Sequence, residues 1–478
     1  MAGKFERAKE PPKRQIKKKS KKKKYIGFLV YILIPVLCGC LFGAWMMSNL
    51  PGFDHLAERL AQPKTEYVYP TEPEETQVQP TETLPVVTEP VTKVATATIG
   101  ATGDILLHDL VIKSGYDKQT DSYNFDNIFT WFAKYVSEVD YAAANLEVTL
   151  CGEDNGYSYS GYPTFNSPDE IVDAAKAAGF DLLLTANNHT YDTGYDGFKR
   201  TQEVIDAREL DHIGTRLYKD GKNYIVREIN GIKVGMICYT YLSGYTNARN
   251  YMLNGIALNS DATARLNGFN YKDLSTFYMK LAGELQEMTA DGAEASVVFI
   301  HWGTEYKLVP NESQKKIAQQ LCDMGVDVIV GNHPHVAQPV ELLTSSSYEN
   351  SKTLCLYSTG NSVSNIYKSS NFPVETEDGM LFTFTFAKYS DGTVLVESAD
   401  VLPTWVHRYD EDGVRKFRIM TMKTGADWKA EMNLTEELMT KCQESYDRTM
   451  GIVGAGLKTA NEWFALHQQE REIALGIQ

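Results

Sequence analysis

The sequence predicts a mixed α/β fold in which a largely parallel or mixed β-sheet is covered by α-helices. Strand-like apolar runs alternate with helical runs across residues 94–330, which is the order expected of consecutive βαβ units. A second observation is that several strand-like runs end in polar segments. Such sheets bind ligands at the carboxyl ends of their strands, so these segments are expected to meet at one edge. They are Gly103-Asp104, Asn145-Leu146-Glu147, Asn187-Asn188-His189, His301-Trp302-Gly303 and Gly331-Asn332-His333-Pro334-His335.

Length and composition indicate a globular body with attachments. The chain has 478 residues, 43% of them hydrophobic, which is enough to bury the core of one large domain or two ordinary ones. Its net charge is −15, although residues 1–24 contain 12 Lys or Arg and only two Glu. The remainder is therefore strongly acidic, which excludes nucleic acid as a partner of the body. Most of the seven cysteines are interpreted as buried small hydrophobes.

The N-terminal quarter is predicted to attach the body to a membrane. After the basic tail of residues 1–24, residues 25–47 are uncharged and apolar over about the length that spans a bilayer. The positive-inside rule places the tail in the cytoplasm and the body outside the cell membrane, with one signal-anchor helix between them. Leu37-Cys38-Gly39-Cys40 also resembles a lipoprotein cleavage site, so lipidation at Cys40 is the alternative. Residues 48–93, rich in Pro, Thr and Glu, are predicted to form an extended acidic stalk.

The body is predicted to be a domain over residues 94–405. Apolar runs of strand length alternate with runs whose apolar residues recur at helical spacing. For the helix after the second strand, Ser167 is a good N-cap, Pro168 suits the first helical position and Gly179 follows the end. Strands are expected at residues 94–102, 141–145, 180–185, 232–241, 296–300 and 326–330, and helices at residues 125–139, 199–207, 271–289 and 312–324.

Later segments have a different pattern. Strands at residues 354–357, 380–387 and 394–402 are expected to be joined by hairpins, because Asp391-Gly392 is a turn sequence. We expect them to form a second sheet packed behind the first. Residues 434–457 and 461–477 have helical spacing and no cluster of metal-ligating residues. Residues 406–478 are therefore predicted to be a peripheral, mostly helical extension.

The polar segments combine carboxylate, amide oxygen and imidazole, which are the ligands of hard-to-borderline divalent metals. Five of the nine histidines lie at or near strand ends, at positions 108, 189, 301, 333 and 335. Together the segments predict a metal site, with a dinuclear one favoured. For His108 alone, capping of the following turn is favoured over metal binding. Two other groups stay open: Tyr157, Tyr159 and Tyr162 with Phe165 are either a polymer-binding platform or a packed loop, and Ser358-Thr359-Gly360-Asn361 is either a substrate contact or a turn.

The order of these motifs resembles the CapA family of poly-gamma-glutamate capsule synthesis proteins. The resemblance covers residues 95–402 and rests on GD, NLE, NNH, HWG and HPHV in that order, with GFD before NNH and STGN after HPHV. The family in turn resembles the calcineurin-like metallophosphatases. This resemblance implies a β-sandwich of two sheets flanked by helices, with metal ligands on loops that follow the strands.

The resemblance also implies roles for single residues. The implied metal ligands are Asp104, Glu147, Asn188, His301, His333 and His335, with Glu147, or else Asn145, in the bridging position. His189 takes the place of the catalytic histidine, which donates a proton or contacts an oxyanion. Asn145, Asn187, Glu305 and Asn361 are predicted to support the ligands or to contact substrate.

Two departures from the phosphoesterase pattern affect the metal count. Leu106 stands where a histidine is usual, and a glutamate or an asparagine stands where the bridging aspartate is usual. One or two divalent ions are therefore expected, and Mn, Zn, Fe and Mg are not distinguished.

Two functional hypotheses follow. In the first, the body is an extracytoplasmic metal-dependent hydrolase or transferase acting on an anionic envelope polymer such as poly-gamma-glutamate, or a metallophosphoesterase with another substrate. In the second, it is a non-catalytic polymer-binding and assembly subunit that docks with membrane subunits of a capsule synthase. The histidine missing at Leu106 favours the second hypothesis, and His189 favours the first.

Overall fold

The computed structural model describes residues 91–153, 156–246, 250–348, 351–423 and 432–474. The predicted tail, the signal anchor with Cys40 and nearly all of the stalk lie outside the described residues. No helix within those described ranges combines the length and the apolar character needed to cross a bilayer. The described residues belong to the unit Val87–Gln478.

Twenty strands and nine α-helices make up the described part of this unit. The strands are β1 Lys93–Ile105, β2 Tyr116–Asp117, β3 Ser122–Tyr123, β4 Tyr141–Leu146, β5 Leu182–Leu184, β6 Asp211–Ile213, β7 Tyr224–Ile229, β8 Ile232–Tyr241, β9 Gly244–Thr246, β10 Asn250–Leu253, β11 Ile256–Ala257, β12 Gly268–Phe269, β13 Ala295–His301, β14 Val328–Asn332, β15 Val340–Thr344, β16 Lys352–Leu356, β17 Asn361–Val363, β18 Asp378–Tyr389, β19 Val394–Glu411 and β20 Val414–Thr421. The helices are α1 Asp109–Gly115, α2 Asp126–Phe129, α3 Ala133–Val136, α4 Glu170–Ala177, α5 Gly194–Asp206, α6 Ser260–Arg265, α7 Leu274–Ala290, α8 Glu312–Asp323 and α9 Glu436–Ala474, with a short 3-10 helix at Val374–Glu377.

Two mixed sheets form the framework. The first has the strand order β20-β19-β18-β1-β4-β5-β6, with β17 also paired to β1. The second has the order β12-β8-β13-β14-β16-β15, with β7 also paired to β8. Strands β1, β4, β5, β13 and β14 run parallel to at least one neighbour, and they are the strands that precede the polar segments. This agrees with the α/β class predicted from their position at strand ends.

The two sheets pack face to face, and helices cover their outer faces. One core cluster joins inward-facing side chains of both sheets, including Ile99 and Phe382 of the first and Val234, Val297 and Val328 of the second. A second cluster lies between the first sheet and helices α1 to α5. A third lies between the second sheet and helices α7 and α8. The result is a four-layer sandwich in which burying apolar surface on both faces of each sheet supplies the main stabilisation.

The late strands do not form a separate second sheet, so that prediction was wrong. Strand β16 pairs with β14, which the sequence placed among the early strands. Strand β18 pairs with β1, and β19 pairs with β18 through the predicted Asp391-Gly392 turn, where Gly392 has φ 86°. Each sheet therefore combines early and late strands: β18 pairs antiparallel with β1 in the first sheet, and β16 pairs parallel with β14 in the second.

Two local predictions near the first sheet also need correction. The single helix expected at residues 125–139 is two short helices, α2 and α3. Thr130 lies between them and its hydroxyl donates to the carbonyl of Asn127 at 3.1 Å, a contact that competes with helical hydrogen bonding. Ser167 is not an N-cap, because its hydroxyl has no hydrogen-bond partner among the described residues and so accepts no N–H of the helix. The helix starts at Glu170.

The C-terminal residues form one continuous helix, α9, where the sequence predicted two. This helix packs against β19 of the first sheet and β15 of the second. Arg448 and Ser445 donate to the buried carboxylate of Asp378, with both Arg448 bonds at 2.7 Å. At Gly456 an added Cβ would lie 1.8 Å from the carbonyl oxygen of Val340, so the helix approaches the strand backbone closely. Strand β19 runs through the boundary predicted after residue 405 and ends at Glu411.

Candidate metal centre

The predicted ligands meet at the carboxyl ends of strands from both sheets. Asp104 lies near the end of β1, Glu147 directly follows β4, and Asn188 lies in the loop after β5, all from the first sheet. From the second sheet, His301 ends β13, and His333 and His335 follow β14. All six side chains are buried. The parallel strands explain this meeting point, because their carboxyl ends face the same edge.

Within the described residues, two groups of side chains can each hold a metal ion. One comprises Glu147, His301 and His333, and the other comprises Asp104, Glu147 and His335. In each group the candidate ligand atoms lie within 4.8 Å of one another. Glu147 belongs to both groups, which is the arrangement expected of a bridging carboxylate. Asn145, the alternative, instead donates from Nδ2 to Asp104 Oδ1 at 2.7 Å.

Three buried polar atoms of this cluster have no hydrogen-bond partner among the described residues. They are Asp104 Oδ2, Glu147 Oε1 and His333 Nδ1. Asp104 Oδ2 does lie 2.9 Å from His335 Nδ1, but without hydrogen-bond geometry. Buried polar groups in folded proteins are nearly always partnered, because an unpaired one costs about 1–3 kcal/mol. These carboxylate oxygens and this imidazole nitrogen are atoms that bind metals. Because they are buried together without partners, they fit a divalent cation.

The electrostatics of the cluster also fit a cation. Burial, followed by the neighbouring Asp104, raises the pKa of Glu147 well above its ordinary value. Burial also opposes ionisation of Asp104, but contact with His335 outweighs it and lowers the pKa of Asp104. Burial lowers the pKa of His301 to about 3 and that of His333 well below its ordinary value. Both of these rings are uncharged at neutral pH, which is the form that binds metals.

His301 is oriented toward the shared carboxylate. Its Nε2 lies 2.6 Å from Asn188 Oδ1 and 3.4 Å from Glu147 Oε1. Nδ1 on the other side of the ring lies 3.5 Å from Asn145 Nδ2. The amide oxygen, the imidazole nitrogen and the carboxylate oxygen thus converge on one point, as ligands of a single ion would.

Asn361 orients His335. Its Oδ1 lies 3.0 Å from His335 Nδ1, and its Nδ2 donates to the carbonyls of His335 and Thr376. His335 Nε2 faces Glu147 Oε1 at 3.9 Å. Burial opposes protonation of His335, but Asp104 outweighs it and raises the pKa. Metal-binding histidines commonly bond through their second nitrogen to such a partner, which fixes the ring direction.

The backbone of the HPH segment is strained. His333 has φ 99° and His335 has φ 55°, in a region that residues with a side chain rarely adopt. Such strain persists only where surrounding structure enforces it, and it concentrates at functional sites. At Gly331 an added Cβ would lie 2.0 Å from the carbonyl oxygen of Tyr357. The backbone at Gly331, near the end of β14, therefore lies too close to Tyr357 for any residue other than glycine.

His189 lies beside the cluster and is held by an aspartate that the sequence analysis missed. Asp192 Oδ2 accepts from His189 Nδ1 at 2.7 Å and also from the backbone N–H of Phe165 at 2.8 Å. Asn254 Nδ2 lies 3.3 Å from the same ring nitrogen. The His189 ring packs edge-on against Phe165, with centroids 4.6 Å apart. The spacing His189-Thr-Tyr-Asp192 was visible in the sequence, but it matches no position of the motif that the resemblance supplied.

Of the other predicted site residues, Asn187 supports the loop that carries His189, whereas Glu305 and His108 do not belong to the ligand groups. Asn187 donates to the carbonyl of Leu146 at 2.8 Å, and its Oδ1 accepts the backbone N–H of His189 at 3.2 Å. Glu305 is exposed, and it makes no hydrogen bond to a histidine ring in the part of the chain that the structure describes. His108 belongs to neither ligand group.

The structure also shows the surroundings of the two groups whose roles the sequence left open. Ser358 donates to the carbonyl of Val336, and Thr359 accepts from Asn332, so both hydroxyls serve the turn. Tyr159 packs edge-on against Tyr123, whereas Tyr162 is 75% exposed. The loop is thus packed at one tyrosine and open to solvent at the other.

Comparison with known proteins identifies the family. The family model for bacterial capsule synthesis protein PGA_cap matches residues 98–366. The chain is 28% identical over 263 residues to the capsule biosynthesis protein CapA of Bacillus anthracis, covering 54% of this chain and 58% of that protein. It is 26% identical over 334 residues to the PGA biosynthesis protein CapA of Bacillus subtilis strain 168, covering 69% of this chain and 79% of that protein. The match therefore spans a little over half of the Bacillus anthracis relative. The chain belongs to the bacterial capsule synthesis protein family PGA_cap.

Proposed function

We propose that this protein is a metal-dependent hydrolase or transferase that acts on an anionic polymer of the cell envelope, such as poly-gamma-glutamate. The observation that carries the proposal is the set of buried, unpaired ligand atoms on Asp104, Glu147 and His333 next to the His189–Asp192 pair. Family membership supports a role in capsule biosynthesis.

The ligand groups would hold the cation, and His189 would transfer the proton. Glu147, His301 and His333, with Asn188, would hold one ion, and Asp104, Glu147 and His335 a second. When bound, a divalent ion lowers the pKa of water and polarises the bond to be cut. Asn145 joins the two carboxylates by donating to Asp104 at 2.7 Å while lying 3.4 Å from Glu147.

His189 is the proton donor in this proposal. Because Asp192 accepts from Nδ1, the ring keeps a fixed direction and Nε2 is the nitrogen that remains for the leaving group. The same aspartate also accepts the backbone N–H of Phe165, so it is itself held in place. Phe165 packs against this ring and excludes water from one side of it.

One observation favours the alternative, a non-catalytic polymer-binding subunit that assembles with membrane subunits of a capsule synthase. Leu106 is 2% exposed and belongs to the outer hydrophobic cluster of the first sheet. It therefore adds no ligand at the position where phosphoesterases usually have a histidine. An ion held by Asp104, Glu147 and His335 would then have fewer protein ligands than one held by Glu147, His301, His333 and Asn188.

The experiment that separates these functions uses the full-length protein with its metal content measured by mass spectrometry. Cleavage of poly-gamma-glutamate and of a phosphate ester is assayed with Mn, Zn, Fe and Mg. We expect turnover that is lost in His189→Asn with metal content unchanged. His467→Asn, at a half-exposed histidine on α9, is the matched control and should keep full activity. Polymer binding without turnover under every metal would overturn the enzymatic proposal and support the assembly subunit.

We also propose that residues 25–47 anchor the chain in the cell membrane, with the N-terminus in the cytoplasm and the body outside. The proposal is supported by the uncharged apolar stretch and the lysines that precede it. Protease added to intact cells stripped of their wall should digest the body. A body that stays protected would contradict this location, and mass spectrometry of the N-terminal region distinguishes an uncleaved anchor from lipidation at Cys40.

A further inference from the structure

We propose that helix α9 positions one of the two ligand groups of the metal centre, with Arg448 and Asp378 as the positioning residues. This ligand group comprises Asp104, Glu147 and His335. The proposal deepens the proposed function and rests on it only for the binding of an ion. The family model matches residues 98–366, so neither Asp378 nor α9 lies within the matched part of the chain.

The dipeptide Gly360-Asn361 contacts two members of this ligand group. The carbonyl oxygen of Gly360 accepts the backbone N–H of Asp104 at 3.1 Å. Asn361 Oδ1 lies 3.0 Å from His335 Nδ1, and Asn361 Nδ2 donates to the backbone carbonyl of His335 at 3.2 Å. A displacement of this dipeptide would therefore move both a carboxylate and an imidazole of the ligand group.

The start of strand β18 packs directly against this dipeptide. Gly360 and Gly379 form a β-bridge. An added Cβ at Gly379 would lie 2.0 Å from the carbonyl oxygen of Asn361, and one at Gly360 would lie 2.6 Å from the carbonyl oxygen of Asp378. Asn361 Nδ2 also donates to the carbonyl of Thr376 at 2.9 Å. Because closely packed interiors transmit strain, a shift of Asp378 would displace Asn361.

Helix α9 holds the carboxylate of Asp378. Arg448 donates to it from Nε and Nη2, both at 2.7 Å, and the Ser445 hydroxyl donates to it at 2.6 Å. A paired bond from the planar guanidinium fixes the direction of the carboxylate as well as its distance. Asp378 is 1% exposed, so water does not readily replace a lost partner. The start of β18 therefore takes its position from α9.

A second anchor of α9 provides a comparison within the same helix. Asn461 Oδ1 accepts the backbone N–H of Ala399 at 2.9 Å, and Asn461 Nδ2 donates to the carbonyl of Ala399 at 2.7 Å. Ala399 lies on β19 and pairs with Phe384 in the middle of β18. This anchor thus also joins α9 to the first sheet through two hydrogen bonds, but it does not contact the start of β18.

The test compares Arg448→Ala with Asn461→Ala in the full-length protein. Competition with a chelator measures the Kd for Mn, and hydrogen exchange read by mass spectrometry measures local opening of the metal-free protein. We expect Arg448→Ala to weaken Mn binding about 10-fold, the lower end of the effect of losing a partner of a metal-binding histidine. It should also speed exchange in the peptides that contain His335 and Asn361. Asn461→Ala should change neither the Kd nor the exchange of these peptides.

A double-mutant cycle distinguishes positioning from a general loss of stability. Asn361→Ala already breaks the contact with the His335 ring, so Arg448→Ala in that background acts only through Gly360. Its effect on Mn binding should then be much smaller than in the wild-type background. Equal effects in both backgrounds would show that Arg448 does not act through Asn361.

Other results also overturn the proposal. An unchanged Kd in Arg448→Ala would do so, as would equal weakening in Asn461→Ala. If Arg448→Ala does not fold by circular dichroism, Ser445→Ala replaces it, because it removes one bond to Asp378 and should give the same pattern with a smaller amplitude. A wild type that binds no Mn would refute the proposed metal centre. Hydrogen exchange would then decide this proposal alone, with equal exchange in Arg448→Ala and the wild type as the result that overturns it.

Discussion

Replacing Glu147 by glutamine should have opposite effects on the metal-free and the metal-loaded protein. In the metal-free protein, burial and the neighbouring Asp104 raise the pKa of Glu147. The folded chain then keeps a proton that the unfolded chain releases above the ordinary pKa of 4.5. Stability is therefore full below pH 4.5 and falls as the pH rises. Glutamine is uncharged and nearly the same size, so Glu147→Gln removes this penalty together with a metal ligand.

The magnitudes follow from proton and metal linkage. Each pH unit between the two pKa values costs about 1.4 kcal/mol, so the penalty in the wild type is at most about 4 kcal/mol at pH 7.5. With about 2.1 cal/mol/K of unfolding entropy per residue, this raises the melting temperature of the unit Val87–Gln478 by at most about 5 °C. A metal at 100 times its Kd stabilises the wild type by about 2.7 kcal/mol, or about 3 °C.

The assay is thermal unfolding of both proteins at pH 4.5 and pH 7.5, with EDTA or with Mn. With EDTA, Glu147→Gln should melt higher than the wild type at pH 7.5 and at the same temperature at pH 4.5. With Mn, the variant should lose most of the metal-dependent rise. Glu462→Gln, at an exposed position on α9, is the control and should change neither result. A variant that melts lower with EDTA at pH 7.5, or responds to Mn as the wild type does, would refute the reasoning.

Three further predictions concern neighbouring parts of the fold. Asn361→Ala removes the partner of His335 and should weaken metal binding about 10–100-fold at unchanged stoichiometry, measured by competition with a chelator. Arg448→Ala leaves the buried carboxylate of Asp378 without its paired bonds and should lower the free energy of unfolding by about 3–5 kcal/mol in urea at pH 7.5. Burial raises the pKa of Asp378 to about 6 even beside Arg448, so that loss should shrink at pH 5, and a loss independent of pH would contradict it. Gly331→Ala should melt lower than the wild type because its Cβ meets a carbonyl oxygen at 2.0 Å, whereas Gly451→Ala, with open space, should not.

The meeting of the ligands was predictable because it depends on strand direction alone. Asp104, His301 and His333 each lie at or just beyond the end of an apolar run of strand length, and parallel strands present such ends at one edge. The strand β8 Ile232–Tyr241 has the bounds that its apolar run predicted. A prediction of this kind depends only on residues that are neighbours in the sequence, so it does not require knowledge of the rest of the fold.

Other features could not be predicted from the sequence, because they depend on contacts between residues that are distant in the chain. Ser167 is a residue type that favours N-caps, but the helix starts three residues later, at Glu170, and the Ser167 hydroxyl accepts no N–H from it. The positive φ at His333 and His335 results from how the loop is packed, since neither residue type requires it. The role of Asp192 became visible only when its distance of 2.7 Å to His189 was known.

The origin of the ligands in both sheets determines when the ion can enter. Glu147 belongs to the first sheet and His301 and His333 to the second, so no ligand group is complete until the two sheets have packed together. Binding of an ion by either group would therefore follow folding and would not nucleate it. A newly made chain would reach its native fold with two carboxylates already crowded together, and any cation at this site would bind afterwards.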